Sequence, residues 1–175
     1  MDKIIFIWLH QWAGQNWFFD QLILFLSQYF TYLVILAIFL TCIFSFRRRL
    51  LGLLWFDLIL FTSGIAWFLV SLLKYNLVSP RPFIFWSSVH PLFLAGSLES
   101  FPSGHAVFFG ALAGGLLVLN RRAGLLALLA ALIIGLARVI AGVHWPSDIV
   151  SGLIFGALAG YWQVSLVHQL KAGVE

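Results

Sequence analysis

The residues with the clearest chemical potential form three groups in the second half of the chain. The first group is Lys74 and Arg81, which follow a long apolar stretch in the segment Lys-Tyr-Asn-Leu-Val-Ser-Pro-Arg-Pro. Basic residues at the end of an apolar helix commonly extend to lipid headgroups, so this pair alone is weak evidence for a site. The segment nevertheless places two cations near one membrane surface.

The second group is the tetrapeptide Pro102-Ser103-Gly104-His105, which precedes an apolar stretch. Proline and serine commonly begin helices, and a helix N-terminus presents unpaired N–H groups and a positive dipole end. The tetrapeptide therefore predicts an anion site with an imidazole beside it. The structural alternative is ordinary capping by Ser103 and close packing at Gly104.

The third group is Arg138, His144 and Asp148, around a turn between two apolar stretches. Arg138 lies inside an apolar helix, where a charge normally pairs with a partner or lines a polar cavity. A carboxylate at position 148 can accept one imidazole N–H of His144, which directs the other ring nitrogen outward as a nucleophile or base. The alternative for Asp148 is a simple helix N-cap.

The elements that position these groups are membrane helices. Of all residues, 62% are hydrophobic and only 9% are charged, which excludes a soluble domain of this size. We expect an all-α, polytopic transmembrane bundle of five to six spans, with residues 1–175 forming a single membrane-embedded domain. The predicted spans are Leu22–Phe46, Leu50–Leu73, Ala106–Leu119, Ala123–Val143 and Ile149–Val167.

Residues 1–20 mix tryptophans with polar side chains and predict an N-terminal interfacial helix, with Asp20 as the N-cap of the next helix. A short, tilted sixth span is the alternative for this segment. The single cysteine, Cys42, does not indicate a redox compartment.

Basic residues set the orientation of the bundle. The loops Arg47–Arg49 and Arg121–Arg122, together with Lys171, fall on one side of the predicted membrane and indicate the cytoplasmic side. The three chemical groups then face the extracytoplasmic side of the cell membrane. Because the basic residues stand at the ends of apolar segments, the formal charge of +4 does not indicate nucleic-acid binding.

Taken together, the three groups resemble the signature motifs of the type-2 phosphatidic acid phosphatase (PAP2) family. These motifs are Lys-x6-Arg-Pro, Pro-Ser-Gly-His and Arg-x5-His-x3-Asp, and they stand here in that order at Lys74–Pro82, Pro102–His105 and Arg138–Asp148. The third motif usually begins Ser-Arg, whereas this chain has Ala137-Arg138, which removes one hydroxyl. The resemblance covers residues 74–148 by motif and the other helices by hydropathy.

The resemblance implies a phosphatase that forms a phosphohistidine. His144 would attack phosphorus, Asp148 would orient its ring, and His105 would protonate the leaving group and then activate water. The phosphate would be bound by Lys74, Arg81, Ser103, Gly104 and Arg138. No metal and no cofactor are expected, because acidic residues near the site are few. Outside the motifs, Glu99 is expected to be a solvated loop residue. His10, His90 and His168 are expected to be surface or interface histidines.

The resemblance also implies a lipid phosphate or diphosphate as the substrate. Short length and a Trp-rich opening that leads into Asp20-Gln21-Leu22 are similar to small bacterial undecaprenyl diphosphate phosphatases. Phosphatidylglycerophosphate, phosphatidic acid and lipid A phosphates are alternatives, and the oligomeric state stays open. From another class, a small membrane transporter would also explain charges within a bundle, but internal repeats are not evident. Soluble vanadate haloperoxidases share the motifs, but the hydropathy argues against them.

Overall fold

The fold consists of helices joined by short turns and one long loop. A computed structural model of the chain describes residues 1–74, 76–77 and 79–172, without the side chains of residues 171 and 172. The side chain of Lys171, which entered the predicted orientation, is therefore outside the described part. The helices are α1 (Asp2–His10), α2 (Trp17–Leu24), a π-helical segment (Phe25–Tyr29), α3 (Phe30–Ser45), α4 (Arg49–Lys74), α5 (Pro82–Phe85), α6 (Gly104–Leu119), α7 (Arg121–Ile140) and α8 (Pro146–Ala172).

The predicted all-α, polytopic membrane fold is confirmed. Among the described residues, four helical stretches are long and apolar enough to cross a membrane. The third predicted span, Ala106–Leu119, corresponds to α6, which has only 16 residues, whereas a full crossing takes about 20. The four longer stretches are Trp17–Ser45, Arg49–Lys74, Arg121–Ile140 and Pro146–Leu170.

The N-terminal region differs from the prediction in its boundaries. The segment 1–20 is not one unit, because α1 ends at His10 and α2 already begins at Trp17. The predicted N-cap, Asp20, is wrong: Asn16 caps α2 by accepting hydrogen bonds from two backbone N–H groups of the first turn. Because the helix begins before Asp20, that carboxylate instead accepts the N–H of Gly14 at 2.9 Å. An interfacial position for α1 stays a prediction.

Close packing of α6 against α8 forms the centre of the bundle. A Cβ atom at Gly156 would overlap the backbone carbonyl of Val107, and one at Gly160 would overlap that of Ala111. Small residues at such positions let two membrane helices approach backbone to backbone. At the N-terminal ends of both helices, the N–H of Ser103 donates to the backbone carbonyl of Asp148 at 3.1 Å. The packing therefore connects the second motif directly to the third.

Helix α1 braces the turn between α7 and α8. The ring of Phe6 is completely buried and lies 5.1 Å from the ring of Trp145, centroid to centroid. At one end of α1, Asp2 accepts hydrogen bonds from the N–H and hydroxyl of Ser147 at 2.9 and 2.7 Å. At the other end, Nδ1 of His10 lies 2.8 Å from the carbonyl oxygen of Ile140. Both ends of the turn that carries His144 are thus held by α1.

Candidate active site

The three motifs converge on one cavity, which we call the motif cavity. Its volume is about 340 Å³. Six of the eight predicted site residues line it, and they come from the end of α4, the loop before α5, the start of α6, the end of α7 and the turn before α8. The six are Lys74, Arg81, Gly104, His105, Arg138 and His144, and the other lining residues are Trp67, Ser71, Ala95, Gly96, Ser97 and Glu99.

The hydrogen bonds of His144 define which ring nitrogen is free to react. Nη1 of Arg81 lies 3.2 Å from Nε2 of His144, and Nδ1 of His144 lies 3.2 Å from Oδ2 of Asp148. Because a guanidinium can only donate, Nε2 is the accepting nitrogen and Nδ1 carries the proton. The lone pair on Nε2 therefore points toward the cavity wall formed by Arg81.

The electrostatic surroundings keep His144 neutral. Burial lowers the pKa of His144 well below its ordinary value of 6.5, and the cations of Arg138, Arg81 and Lys74 lower it further. The same cations attract an anionic group into the cavity. A neutral imidazole beside a positively charged anion site is suited to nucleophilic attack on a phosphate.

Asp148 is buried behind His144 and accepts hydrogen bonds from more than one donor. Its exposed fraction is only 1%. Besides His144, its Oδ2 atom accepts the N–H of Trp145 at 2.8 Å and the hydroxyl of Ser100. Asp148 is therefore not only an N-cap, because these hydrogen bonds fix its carboxylate on the Nδ1 side of the imidazole.

Ser100 is a site residue that sequence reasoning missed. It is completely buried; its hydroxyl donates to Asp148 and lies 3.3 Å from Nδ1 of His144. The Nδ1 proton is thus shared between a carboxylate and a hydroxyl. Its only sequence signal was its position just before the second motif.

Arg81 and Glu99 are held in the same loop network. Nε of Arg81 donates to the carbonyl of Ser97 at 2.6 Å and Nη1 donates to the carbonyl of Val143 at 2.6 Å. Burial lowers the pKa of Arg81, an effect that the negative charges of Asp148 and Glu99 partly offset. The prediction of Glu99 as a solvated loop residue is wrong: the residue is half-buried, lines the motif cavity and accepts the N–H of Ser79 at 2.9 Å.

The second motif contributes a helix N-terminus and an unengaged imidazole. Among the described residues the ring of His105 has no hydrogen-bond partner, and it faces the motif cavity. The hydroxyl of Ser103 caps α6 by accepting the N–H of Ala106 at 3.5 Å, and Ser103 is completely buried. The structure therefore places Gly104 and His105 in the cavity and leaves the Ser103 side chain outside it.

Arg138 is a buried cation with donors to spare. Its exposed fraction is 6%, and its Nη1 donates to the carbonyl of Ser27 at 3.2 Å. Its Nε atom is buried and has no hydrogen-bond partner within the described part of the chain. An unpaired buried donor is normally avoided. The residue itself lines the motif cavity, so its charge acts on that space.

The donor set of the site is cationic rather than metal-binding. Across residues 1–74, 76–77 and 79–172, no three His, Cys, Asp or Glu side chains are grouped so that they could hold a metal ion. The acceptors near the cavity are instead used by protein donors, since Asp148 binds His144 and Ser100 while Glu99 binds Ser79.

The fold and the site together define a polytopic helical membrane protein with a cavity lined by three cationic side chains and two histidines. A comparison with known protein families matches residues 52–172 to the PAP2 superfamily, and the chain belongs to this superfamily. The resemblance based on the three motifs is thus confirmed.

Individual relatives extend this result. Over 101 residues the chain is 36% identical to a lipid A 1-phosphatase of Rhizobium johnstonii, a match that covers 55% of this chain and only 41% of that relative. Over 167 residues it is 28% identical to the undecaprenyl-diphosphatase BcrC of Bacillus subtilis, covering 92% of this chain and 81% of the relative. The crystal structure of Aquifex aeolicus LpxE has the same fold, with a TM-score of 0.69, 23% identity and 94% of each chain covered.

Proposed function

We propose that this protein is an integral membrane lipid phosphatase that removes a terminal phosphate through a phosphohistidine. The observation that carries the proposal is the convergence of six motif residues on one cavity, with His144 oriented by Asp148. Phosphoryl transfer requires charge stabilisation, an in-line nucleophile and a proton for the leaving oxygen. The cavity offers a residue for each requirement.

In the first step, Nε2 of His144 attacks phosphorus while the bond from phosphorus to the leaving oxygen breaks. In the empty site this nitrogen accepts a hydrogen bond from Arg81. Phosphate oxygens are stronger acceptors for a guanidinium than a neutral imidazole is, so the bound substrate draws the Arg81 hydrogen bond to itself and frees Nε2. Asp148 then stabilises the positive charge that develops on the ring.

His105 acts on the opposite side of the transferred group. In its protonated form His105 donates a proton to the leaving oxygen, so the lipid departs and the phosphoryl group remains on His144. The neutral His105 then takes a proton from water, whose oxygen attacks phosphorus and breaks the P–N bond. The products are the dephosphorylated lipid, orthophosphate and the original enzyme, without any metal or cofactor.

The substrate that we favour is undecaprenyl diphosphate, which would yield undecaprenyl phosphate. This choice is supported by the match along 92% of the chain to a relative named undecaprenyl-diphosphatase. By the distribution of basic loops, the reaction would take place on the extracytoplasmic face of the cell membrane. Lipid A, phosphatidylglycerophosphate and phosphatidic acid are the alternative substrates, the first supported by the lipid A 1-phosphatase match.

The test is phosphate release by the purified protein in detergent, with chelator present throughout. Undecaprenyl diphosphate, phosphatidylglycerophosphate and phosphatidic acid are compared as substrates, and the His144→Ala variant is compared with His90→Ala, which alters an exposed loop histidine. We expect His144→Ala to lose at least about 10³-fold in turnover, because it removes the nucleophile, and His90→Ala to remain active. Full turnover by His144→Ala, or activity that needs a divalent ion, contradicts the proposal. Absence of phosphate release from these three lipids and also from lipid A would favour a transporter.

A further inference from the structure

A second cavity continues from the motif cavity toward the membrane-spanning helices. This side cavity has a volume of about 490 Å³. The two cavities share the residues at their junction, which are Trp67, Ala95, Gly96, Gly104, His105 and Arg138. Because they share both an imidazole and a guanidinium, a molecule that reaches His144 through one cavity can extend into the other.

The order of groups along a bound substrate follows from the positions of the two histidines. The transferred phosphorus must meet Nε2 of His144 in the motif cavity. The leaving oxygen must meet His105, which stands at the junction. Whatever is attached to the leaving oxygen therefore lies in the side cavity.

A glutamine lines this side cavity within a membrane-spanning stretch. Gln28 belongs to the π-helical segment Phe25–Tyr29, which interrupts the helix between α2 and α3. Its side chain is half-buried, and its amide has no hydrogen-bond partner among the residues that the structure describes. A polar side chain at membrane depth is unfavourable without a partner, and π-helical turns in long helices occur frequently at functional sites.

The same segment also holds the arginine at the junction. The carbonyl of Ser27 accepts a hydrogen bond from Nη1 of Arg138 at 3.2 Å, which leaves the buried Nε of Arg138 unpaired. The Gln28 amide and the cationic side chain of Arg138 therefore border one space beside His105. Beyond them the lining includes Ile35, Leu94, Phe108 and Phe109, which suit an apolar chain.

We propose that Gln28 binds the inner phosphate of a lipid diphosphate, the phosphate that remains on the lipid, and thereby selects diphosphates over monophosphates. Arg138 contacts both phosphates from the junction, and the apolar part of the side cavity takes the beginning of the lipid chain. This inference rests on the proposed function and specifies its substrate class. A lipid monophosphate places its single phosphate at His144 and has no second phosphate for Gln28.

The test compares two substrates in two variants of the full-length protein. Gln28→Leu removes the amide and keeps a similar volume, and Gln163→Leu makes the same change on α8 away from both cavities. The measured quantity is kcat/KM for undecaprenyl diphosphate and for phosphatidic acid. We expect Gln28→Leu to lose about tenfold or more on the diphosphate, as for a lost hydrogen bond to a charged group, and to keep its activity on phosphatidic acid. Gln163→Leu is expected to match the wild type on both substrates.

The phosphatidic acid assay also shows that the Gln28→Leu protein is folded. Equal losses on both substrates would assign Gln28 a structural role and overturn the inference, as would an unchanged kcat/KM for the diphosphate. Wild-type protein that cleaves phosphatidic acid but not the diphosphate would overturn the inference while leaving the phosphatase proposal intact. Wild-type protein that cleaves neither substrate would overturn the inference, and it would overturn the phosphatase proposal too if phosphatidylglycerophosphate and lipid A were also left intact.

Discussion

Removing the Ser100 hydroxyl should weaken catalysis without weakening substrate binding. Ser100 does not line the motif cavity, but its hydroxyl donates to Asp148 and lies 3.3 Å from Nδ1 of His144. A hydrogen bond to a charged group contributes about 1.5–3 kcal/mol. Since each 1.36 kcal/mol is a factor of ten in rate, Ser100→Ala is expected to lower kcat by about 10- to 150-fold. The KM value should stay within about twofold, because no substrate contact is lost.

The assay is steady-state phosphate release, combined with a double-mutant cycle that tests how Ser100 acts. If the hydroxyl works through the carboxylate, Ser100→Ala should cause little further loss in a protein that already carries Asp148→Asn. The matched control is Ser63→Ala, which removes another completely buried hydroxyl, bonded at 2.8 Å to the carbonyl of Ile59 within α4. This control should retain wild-type kcat.

Two results would refute the reasoning about Ser100. One is a kcat that does not change in Ser100→Ala. The other is an equal fold-loss in the presence and absence of the Asp148 carboxylate, which would indicate a general structural effect. Thermal unfolding of each variant in detergent separates loss of stability from loss of catalysis.

Other predictions concern protonation, packing and the N-terminal helix. NMR of His144 in the substrate-free protein should show a neutral imidazole as the pH falls through 6.5, because its pKa is lowered below that value; protonation near pH 6.5 would contradict this. Gly156→Ala should lower the melting temperature by several degrees, since backbone lies where the Cβ must go. Gly64→Ala, with open space around its Cβ, should not, and equal effects would contradict the packing argument. Asp2→Ala removes two exposed hydrogen bonds to Ser147 and should lower kcat about fivefold, at about 0.5 kcal/mol per exposed bond; an unchanged kcat would mean that α1 does not position the turn.

The sequence was sufficient to predict the helices and much of the site. Apolar stretches bounded by charges indicate membrane helices whatever their tertiary contacts, because the bilayer itself sets the required length. The motifs stand at helix ends on one predicted side, so Lys74, His105 and His144 were expected to meet. The structure brings all three to one cavity.

The contacts that sequence reasoning missed depend on packing between distant elements. Ser100 and Asp148 are 48 positions apart in the sequence, and no local sequence pattern indicates a contact between them. The π-helical segment Phe25–Tyr29 contains neither proline nor glycine, so nothing in its composition distinguishes it from a regular helix. Ser103 was assigned to the phosphate because of its motif, but capping of α6 uses its hydroxyl.

The contact between α1 and the turn before α8 can form only late in synthesis. Asp2 and Ser147 are 145 positions apart, which at about 5–20 residues per second corresponds to about 7 to 30 seconds of synthesis. Helix α1 must therefore wait until the start of α8 has been made before it can form these contacts. The turn that presents His144 is completed only when α1 reaches it after synthesis has passed Ser147.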